Sequence, residues 1–263
     1  MAEKSLSPYL CHEGVRTKAR AGAGEEMNLA WIPNVLTLGN LTCGFVSVIF
    51  SSMGSPEAFR VGAVLILLAA VLDGFDGQVA RWLRVDSPLG KELDSLADCV
   101  AFGVAPGYLA YRTYLAGMVV PFAGRPVDLG ILLAAIFPIC AAYRLARFNV
   151  RSSPRSFVGL PSPVAGILVG LGILCFPQGN IPKPVFAVLL PLTGFLMVST
   201  VGYSKPQSFV LKNLHGFRLA GLIVLVAFLL FLFRLWLILL AVSVYVLSGL
   251  VSCLIQFIQE RRY

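Results

Sequence analysis

Asp73, Asp76, Asp94 and Asp98 fall in the run LDGFDGQVARWLRVDSPLGKELDSLADCVAFGVAPG, between apolar stretches long enough to cross a bilayer, in a chain that is only 13% charged. On insertion scales each aspartate at a bilayer midplane costs roughly 2.5–3.5 kcal/mol, so four facing lipid would cost on the order of 10 kcal/mol or more. A polar cavity holding cations removes that cost. Asp73 and Asp76 are three residues apart and Asp94 and Asp98 four apart, so each pair lies on one face of its helix. Two such helices side by side make an acidic pocket. It suits a hard divalent cation, Mg2+ or Mn2+, which takes carboxylate oxygens and keeps positions open for phosphate, whereas zinc recruits His or Cys. No His lies nearby, and Cys99 stands alone. Gly77 lets a ligand approach the backbone next to Asp76, Gly90 does the same on the second helix, and Arg81, beyond Ala80, adds a cation suited to bidentate phosphate binding. Two other readings of the carboxylates stand beside the metal site: a charge network that only holds helices together, and an ion path. A path would spread its acids along a span, and these cluster at one end.

The elements that must position these groups are transmembrane helices. Mean hydropathy is +0.82, hydrophobic residues make up 57% of 263, and little length is left for a soluble domain. The apolar runs predict a polytopic all-α bundle of about eight helices: 34–53, 58–83, 89–114, 127–150, 160–176, 184–202, 217–233 and 235–258. Pro56, Pro88, Gly124 with Pro126, Pro161 with Pro163, Pro177 with Gly179, and Pro206 punctuate them. Three regions follow: a polar tail over 1–30, flexible or surface-lying and without a signal-peptide core; a stretch over 31–166 that carries the acidic cluster and the motifs below, whose resemblance to a known family implies a catalytic core; and C-terminal helices over 167–263 that complete the bundle. Trp31 reads as an interfacial anchor. Placing both termini in the cytoplasm puts most of the 21 Lys and Arg on that side, and with them the four aspartates. The net charge of +8 suits anionic headgroups and a diphosphate; without a basic soluble domain, nucleic acid is not a partner. The six cysteines have no metal or redox spacing, and Cys43, Cys99, Cys140 and Cys253 read as small packing residues within spans. His12 and His215 receive no role.

Further constellations surround the acidic one. In PNVLTLGN, Asn34, Thr37 and Asn40 stack on one helix face. They suit either reading of a cytosine edge or ribose, or an N-cap at Asn34 with interhelical hydrogen bonds from the other two. In RLARFN, Arg144 and Arg147 form a forked anion site or a positive-inside anchor, with Asn149 beside them. Arg151 and Arg155 read as anchors. FVGLPSP, residues 157–163, reads as a rigid helix start.

The spacing Asp73-x-x-Asp76-Gly77-x-x-Ala80-Arg81, eight residues, then Gly90-x-x-x-Asp94-x-x-x-Asp98 resembles the signature of the CDP-alcohol phosphotransferase family at every position. RLARFN, FVGLPSP, PNVLTLGN and LADCVAFGVAP are similar to the integral-membrane phosphatidylserine synthase branch. Relatives often carry Ser where this chain has Ala101, a departure expected to remove one hydrogen bond. The resemblance implies transfer of a phosphatidyl group from CDP-diacylglycerol to an alcohol, L-serine in this branch, with release of CMP. It implies cations on Asp73, Asp76 and Asp94 with Asp98 at their edge and acting as general base. It implies donor binding by Asn34, Thr37, Asn40, Asp73, Gly77, Ala80, Arg81 and Ser87. Arg144, Arg147 and Asn149 are then candidates for the serine carboxylate or the attacked phosphate. It also implies a homodimer in the lipid bilayer, in the cell inner membrane if the host is bacterial, with the site facing the cytoplasm. Inositol phosphate, glycerol 3-phosphate and choline are the other acceptors of the same chemistry.

Overall fold

The computed structural model describes residues 31–83, 85, 87–122, 124–150, 157–176, 182–199, 202–203 and 235–260. The expected tail over 1–30 and the expected helix over 217–233 lie outside the described residues, as do His12, His215, Arg151 and Arg155. Two long helices open the fold, α1 (Trp31–Met53) and α2 (Pro56–Leu83). A third rod follows in four pieces: α3 (Pro88–Asp98), a π-helical turn (Cys99–Val104), α4 (Ala105–Ala110) and a second π turn (Tyr111–Leu115). Next come α5 (Leu129–Val150), α6 (Ser162–Cys175), α7 (Lys183–Val198) and α8 (Leu235–Glu260). Trp31–Met53, Pro56–Leu83 and Leu129–Val150 are long and apolar enough to cross a membrane. The protein is an all-α integral-membrane bundle.

Which face each helix buries follows from lipid as solvent. Without a hydrophobic drive between helices, small and polar residues turn inward and large apolar ones outward. On α1 the buried stripe is Pro33, Thr37, Asn40, Gly44, Ser47 and Ser51, while Val35, Leu38, Phe45 and Ile49 are exposed. Ser47 Oγ donates to the Gly62 carbonyl of α2 at 2.8 Å. A Cβ on Gly44 would stand 2.7 Å from the Ala101 Cα in the third rod. Ala101, fully buried, thus sits where two backbones touch. Gly44→Val is therefore expected to lower the thermal unfolding midpoint in detergent, equivalent to about 1–3 kcal/mol of overpacking; an unchanged midpoint would mean that the contact is not tight.

Several boundaries differ from the sequence expectation for identifiable reasons. The first helix begins at Trp31 rather than 34, with Pro33 inside its first turn, where a missing N–H costs nothing. Asn34 is therefore not the N-cap. The fourth predicted helix, expected from 127, starts at Leu129, because residues Arg125–Asp128 pair with Val119–Phe122 as a hairpin, β1–β2. Asp128 Oδ1 then accepts from the Gly130 amide at 2.9 Å, the geometry of a helix cap. The helix expected to run to 202 stops at Val198, and Gly202–Tyr203 (β4) pairs with Phe157–Val158 (β3). The first π turn comes just before Pro106, where the Ala105 amide reaches the Val100 carbonyl five residues back. Proline cannot continue a regular α ladder, and the wider turn absorbs the fault directly after Asp98.

Because successive helices alternate in direction, the start of α1, the end of α2, the start of α3, the end of α5, the start of α6 and the end of α7 gather at one end of the bundle. Each constellation singled out in the sequence lies there. The β1–β2 hairpin belongs to the other end.

Candidate active site

The C-terminal third of α2 and the first turns of α3 carry the carboxylates. Ser87 N-caps α3, its Oγ accepting from the Gly90 amide at 2.9 Å, and Pro88 occupies the first turn. A Cβ on Gly90 would press to 2.9 Å from that Oγ and 3.2 Å from Asn34 Oδ1, so glycine is what lets the capped helix end meet α1. With α3 so placed, one carboxylate oxygen each from Asp73, Asp76 and Asp94 lie within 4.8 Å of one another. Asp98, one turn on and buried, lies beside the Asp73 carboxyl.

The α1 stripe supplies partners. Thr37 Oγ1 donates to Asp76 Oδ2 at 2.9 Å, and Asn40 Nδ2 donates to Asp98 Oδ1 at 3.2 Å. Both are interhelical hydrogen bonds to the acids. Thr37 also lines a cavity of about 190 Å³ with Pro33, Asn34, Asp76, Gly77, Ala80, Arg81, Val85, Ser87, Gly90, Lys91 and Asp94. Asn40 is fully buried and lies one helical turn deeper, away from this wall. A Cβ on Gly77 would meet only the Arg81 guanidinium, at 3.5 Å, so the backbone beside Asp76 is open to a ligand. Lys91 went unnoticed in the sequence, although it follows Gly90 directly. It adds a second cation to the mouth of the cavity.

On the far side of Asp98 the RLARFN residues divide. Arg144 is buried and its Nη1 donates to Ser162 Oγ at 3.0 Å. Arg147 Nη1 donates to the Val198 carbonyl at 2.8 Å, joining the ends of α5 and α7. Asn149 Nδ2 donates to Ser95 Oγ at 3.0 Å, tying α5 to the helix that carries Asp94 and Asp98. Ser162 was read in the sequence only as part of a proline-rich helix start. Its partner lies 18 residues away, and no local pattern announces such a pairing.

Three carboxylate oxygens at this spacing, with no nitrogen or sulfur ligand among them, make a donor set for a hard divalent cation. Asp76 and Asp94 also line the cavity, to which Arg81 and Lys91 bring two cations suited to an anionic ligand. Together these suit a diphosphate, with the buried Asp98 carboxylate close to the cluster.

Among curated proteins, the CDP-diacylglycerol–serine O-phosphatidyltransferase of Helicobacter pylori (strain ATCC 700392 / 26695) is 39% identical over 179 residues, 65% of this chain and 70% of that protein. The enzyme of the same name from Bacillus subtilis (strain 168) is 36% identical over 192 residues, 72% of this chain and 98% of the relative. The archaetidylserine synthase of Methanothermobacter thermautotrophicus is 33% identical over 180 residues, 66% of this chain and 70% of the relative. The family model for CDP-alcohol phosphatidyltransferase matches residues 30–204, from the first residues of α1 past the end of α7. The paired aspartates, the capped glycine between them and the cavity they line therefore have a family context: this chain belongs to the CDP-alcohol phosphatidyltransferases.

Proposed function

We propose that the protein transfers the phosphatidyl group of CDP-diacylglycerol to the hydroxyl of L-serine, giving phosphatidylserine and CMP. The observation that carries this reading is the convergence, at one end of a membrane bundle, of the three-carboxylate cluster, the cavity with Arg81 and Lys91, and the buried Asp98 with Arg144 behind it. The names of the relatives supply the serine acceptor.

Asp73, Asp76 and Asp94 would hold Mg2+ or Mn2+, and Thr37 fixes the Asp76 carboxylate in place. When bound, the cation neutralises diphosphate charge and stabilises the CMP leaving group. Arg81 and Lys91 grip the donor phosphates, and the open backbone at Gly77 admits the nucleotide. Asp98, oriented by the Asn40 amide, accepts the proton of the serine hydroxyl. The serine oxygen forms its bond to the lipid-side phosphorus as the bond from that phosphorus to the CMP oxygen breaks, so charge and atoms balance without a covalent enzyme intermediate. The site faces the cytoplasm, on the strength of the Lys and Arg distribution, where serine and CMP are soluble. In a bacterial host that places the protein in the inner membrane, and the family resemblance supports a homodimer.

The test is CMP release by the detergent-purified protein from CDP-diacylglycerol, with Mg2+ or Mn2+, across L-serine, inositol phosphate, glycerol 3-phosphate and choline. Release that requires L-serine is the expected result. Release with another acceptor would keep the aspartate chemistry and overturn serine.

A further inference from the structure

α6 packs against both α7 and α8, and a cavity of about 500 Å³ lies among the three helices. Its lining is apolar, with Leu192 and Leu196 on the α7 wall, Leu240 and Leu247 on the α8 wall, and Gly172 of α6 in the floor. The Thr193 hydroxyl on the α7 wall already donates to the Leu190 carbonyl at 2.8 Å. Leu192 and Leu247 are exposed, so the groove opens sideways toward lipid. A cleft lined this way inside a bilayer fills, because bare walls forgo dispersion contacts.

The groove has a direction. α6 starts at the catalytic end, where Ser162 bonds Arg144, and the lining begins on α6 at Leu168, under two turns further on. At the other end Phe176 and Trp236, both in the lining, meet edge to face with ring centroids 5.0 Å apart. From there α8 runs back toward the catalytic end, where Tyr245 lies within electrostatic reach of Arg144 and the helix packs against β4. The groove therefore starts near the reacting groups and ends on an aromatic pair. α8 lies beyond residues 30–204 matched by the family model, so one wall is not part of the shared fold.

Its girth selects the occupant. Trp236 and Leu250, both in the lining, stand about 21 Å apart along α8 at 1.5 Å per residue, so the cavity averages about 24 Å² in cross-section. A packed helix, about 10 Å across, needs about 80 Å². A single hydrocarbon chain fits where a helix does not. We infer that the groove takes one acyl chain of the CDP-diacylglycerol donor, with its glycerol end toward Ser162 and its terminal methyl against Phe176 and Trp236. This rests on the proposed phosphatidyl transfer and adds the part of the lipid that the protein measures, the length of one chain. The second chain stays in the bilayer.

Gly172 supplies the test, since a Cβ there would meet nothing within 4 Å. Gly172→Leu therefore fills the groove without disturbing the helices, about 15 Å along α6 from Ser162. The full-length purified enzyme is assayed for CMP release from CDP-dipalmitoylglycerol and CDP-dioctanoylglycerol at saturating L-serine. The variant is expected to shrink the kcat/KM ratio of the long-chain to the short-chain donor by about 10-fold, the scale of overpacking by a few methylenes. Leu240→Trp, which narrows the groove from the α8 wall, should do the same. Both should leave the KM for L-serine unchanged. Any effect on folding or on the aspartates is common to both donors and cancels in the ratio.

Photolabelling reads the groove without turnover. CDP-diacylglycerol carrying a diazirine at the end of one acyl chain should label peptides around Phe176 and Trp236, and Gly172→Leu should abolish that label. An unchanged ratio in both variants, or label confined to other helices, overturns this inference alone. Label from a diazirine phosphatidylcholine that the donor does not displace would assign the groove to a resident lipid, and an altered oligomer mass in Gly172→Leu would assign it to a second copy of the chain. Either result overturns the donor chain as occupant. A wild type that releases CMP from neither donor overturns the proposed transfer, and the assignment with it.

Discussion

Stripping divalent cations with EDTA, followed by desalting, should reduce CMP release by on the order of 10³-fold, and Mg2+ or Mn2+ should restore it. The expectation comes from the crowding of charge. Oxygens of Asp73, Asp76 and Asp94 lie within 4.8 Å of one another, with the buried Asp98 against Asp73. Two like charges about 4 Å apart repel by roughly 4 kcal/mol at an effective dielectric of 20, so the ionised cluster is unfavourable without counter-charge. Thr37 and Asn40 each give one hydrogen bond to these acids, which orients them without neutralising them. Chelation should for the same reason lower the thermal midpoint, because a ligand that binds only the folded state stabilises it by mass action. Full activity in the chelated, desalted protein would remove the metal from the account.

Asp98→Asn should cut CMP release by about 10²- to 10⁴-fold, the contribution of a positioned general base. The amide keeps the shape of the carboxyl and still offers an oxygen to Asn40 Nδ2, so helix packing should survive. The change also removes one like charge beside Asp73, and the thermal midpoint should hold or rise. Loss of activity without loss of stability separates a chemical role from a structural one. A variant retaining more than about a tenth of wild-type turnover would show that the serine proton leaves by another route.

Much of this site was legible from the aspartate spacing, because helical periodicity alone puts Asp73 with Asp76 and Asp94 with Asp98 on shared faces. The spans were legible from hydropathy for a related reason: in lipid the backbone must satisfy itself, so long apolar runs become helices. What escaped depends on partners distant in the chain. Asn40 stacks with Asn34 and Thr37 in the sequence, yet only Thr37 and Asn34 line the donor cavity, and Asn40 turns to Asp98 58 residues away. Arg144 and Arg147 look equivalent in RLARFN, and only the positions of Ser162 and Val198 distinguish them. The π turn after Asp98 was hidden because its cause, Pro106, reads as an ordinary helix residue until the ladder has to pass it. The β3–β4 pair joins residues 157–158 to 202–203, a pairing too short for alternation to signal.

The central claim is that this cluster of aspartates joins a lipid phosphate to serine. The most direct measurement incubates the purified enzyme with CDP-diacylglycerol, Mn2+ and isotope-labelled L-serine, and counts CMP and labelled phosphatidylserine in the same sample by mass spectrometry. One labelled lipid for each CMP released, with neither formed by Asp98→Asn, is the predicted result. CMP released without labelled phosphatidylserine, or labelled lipid still formed by the Asp98 variant, would contradict it.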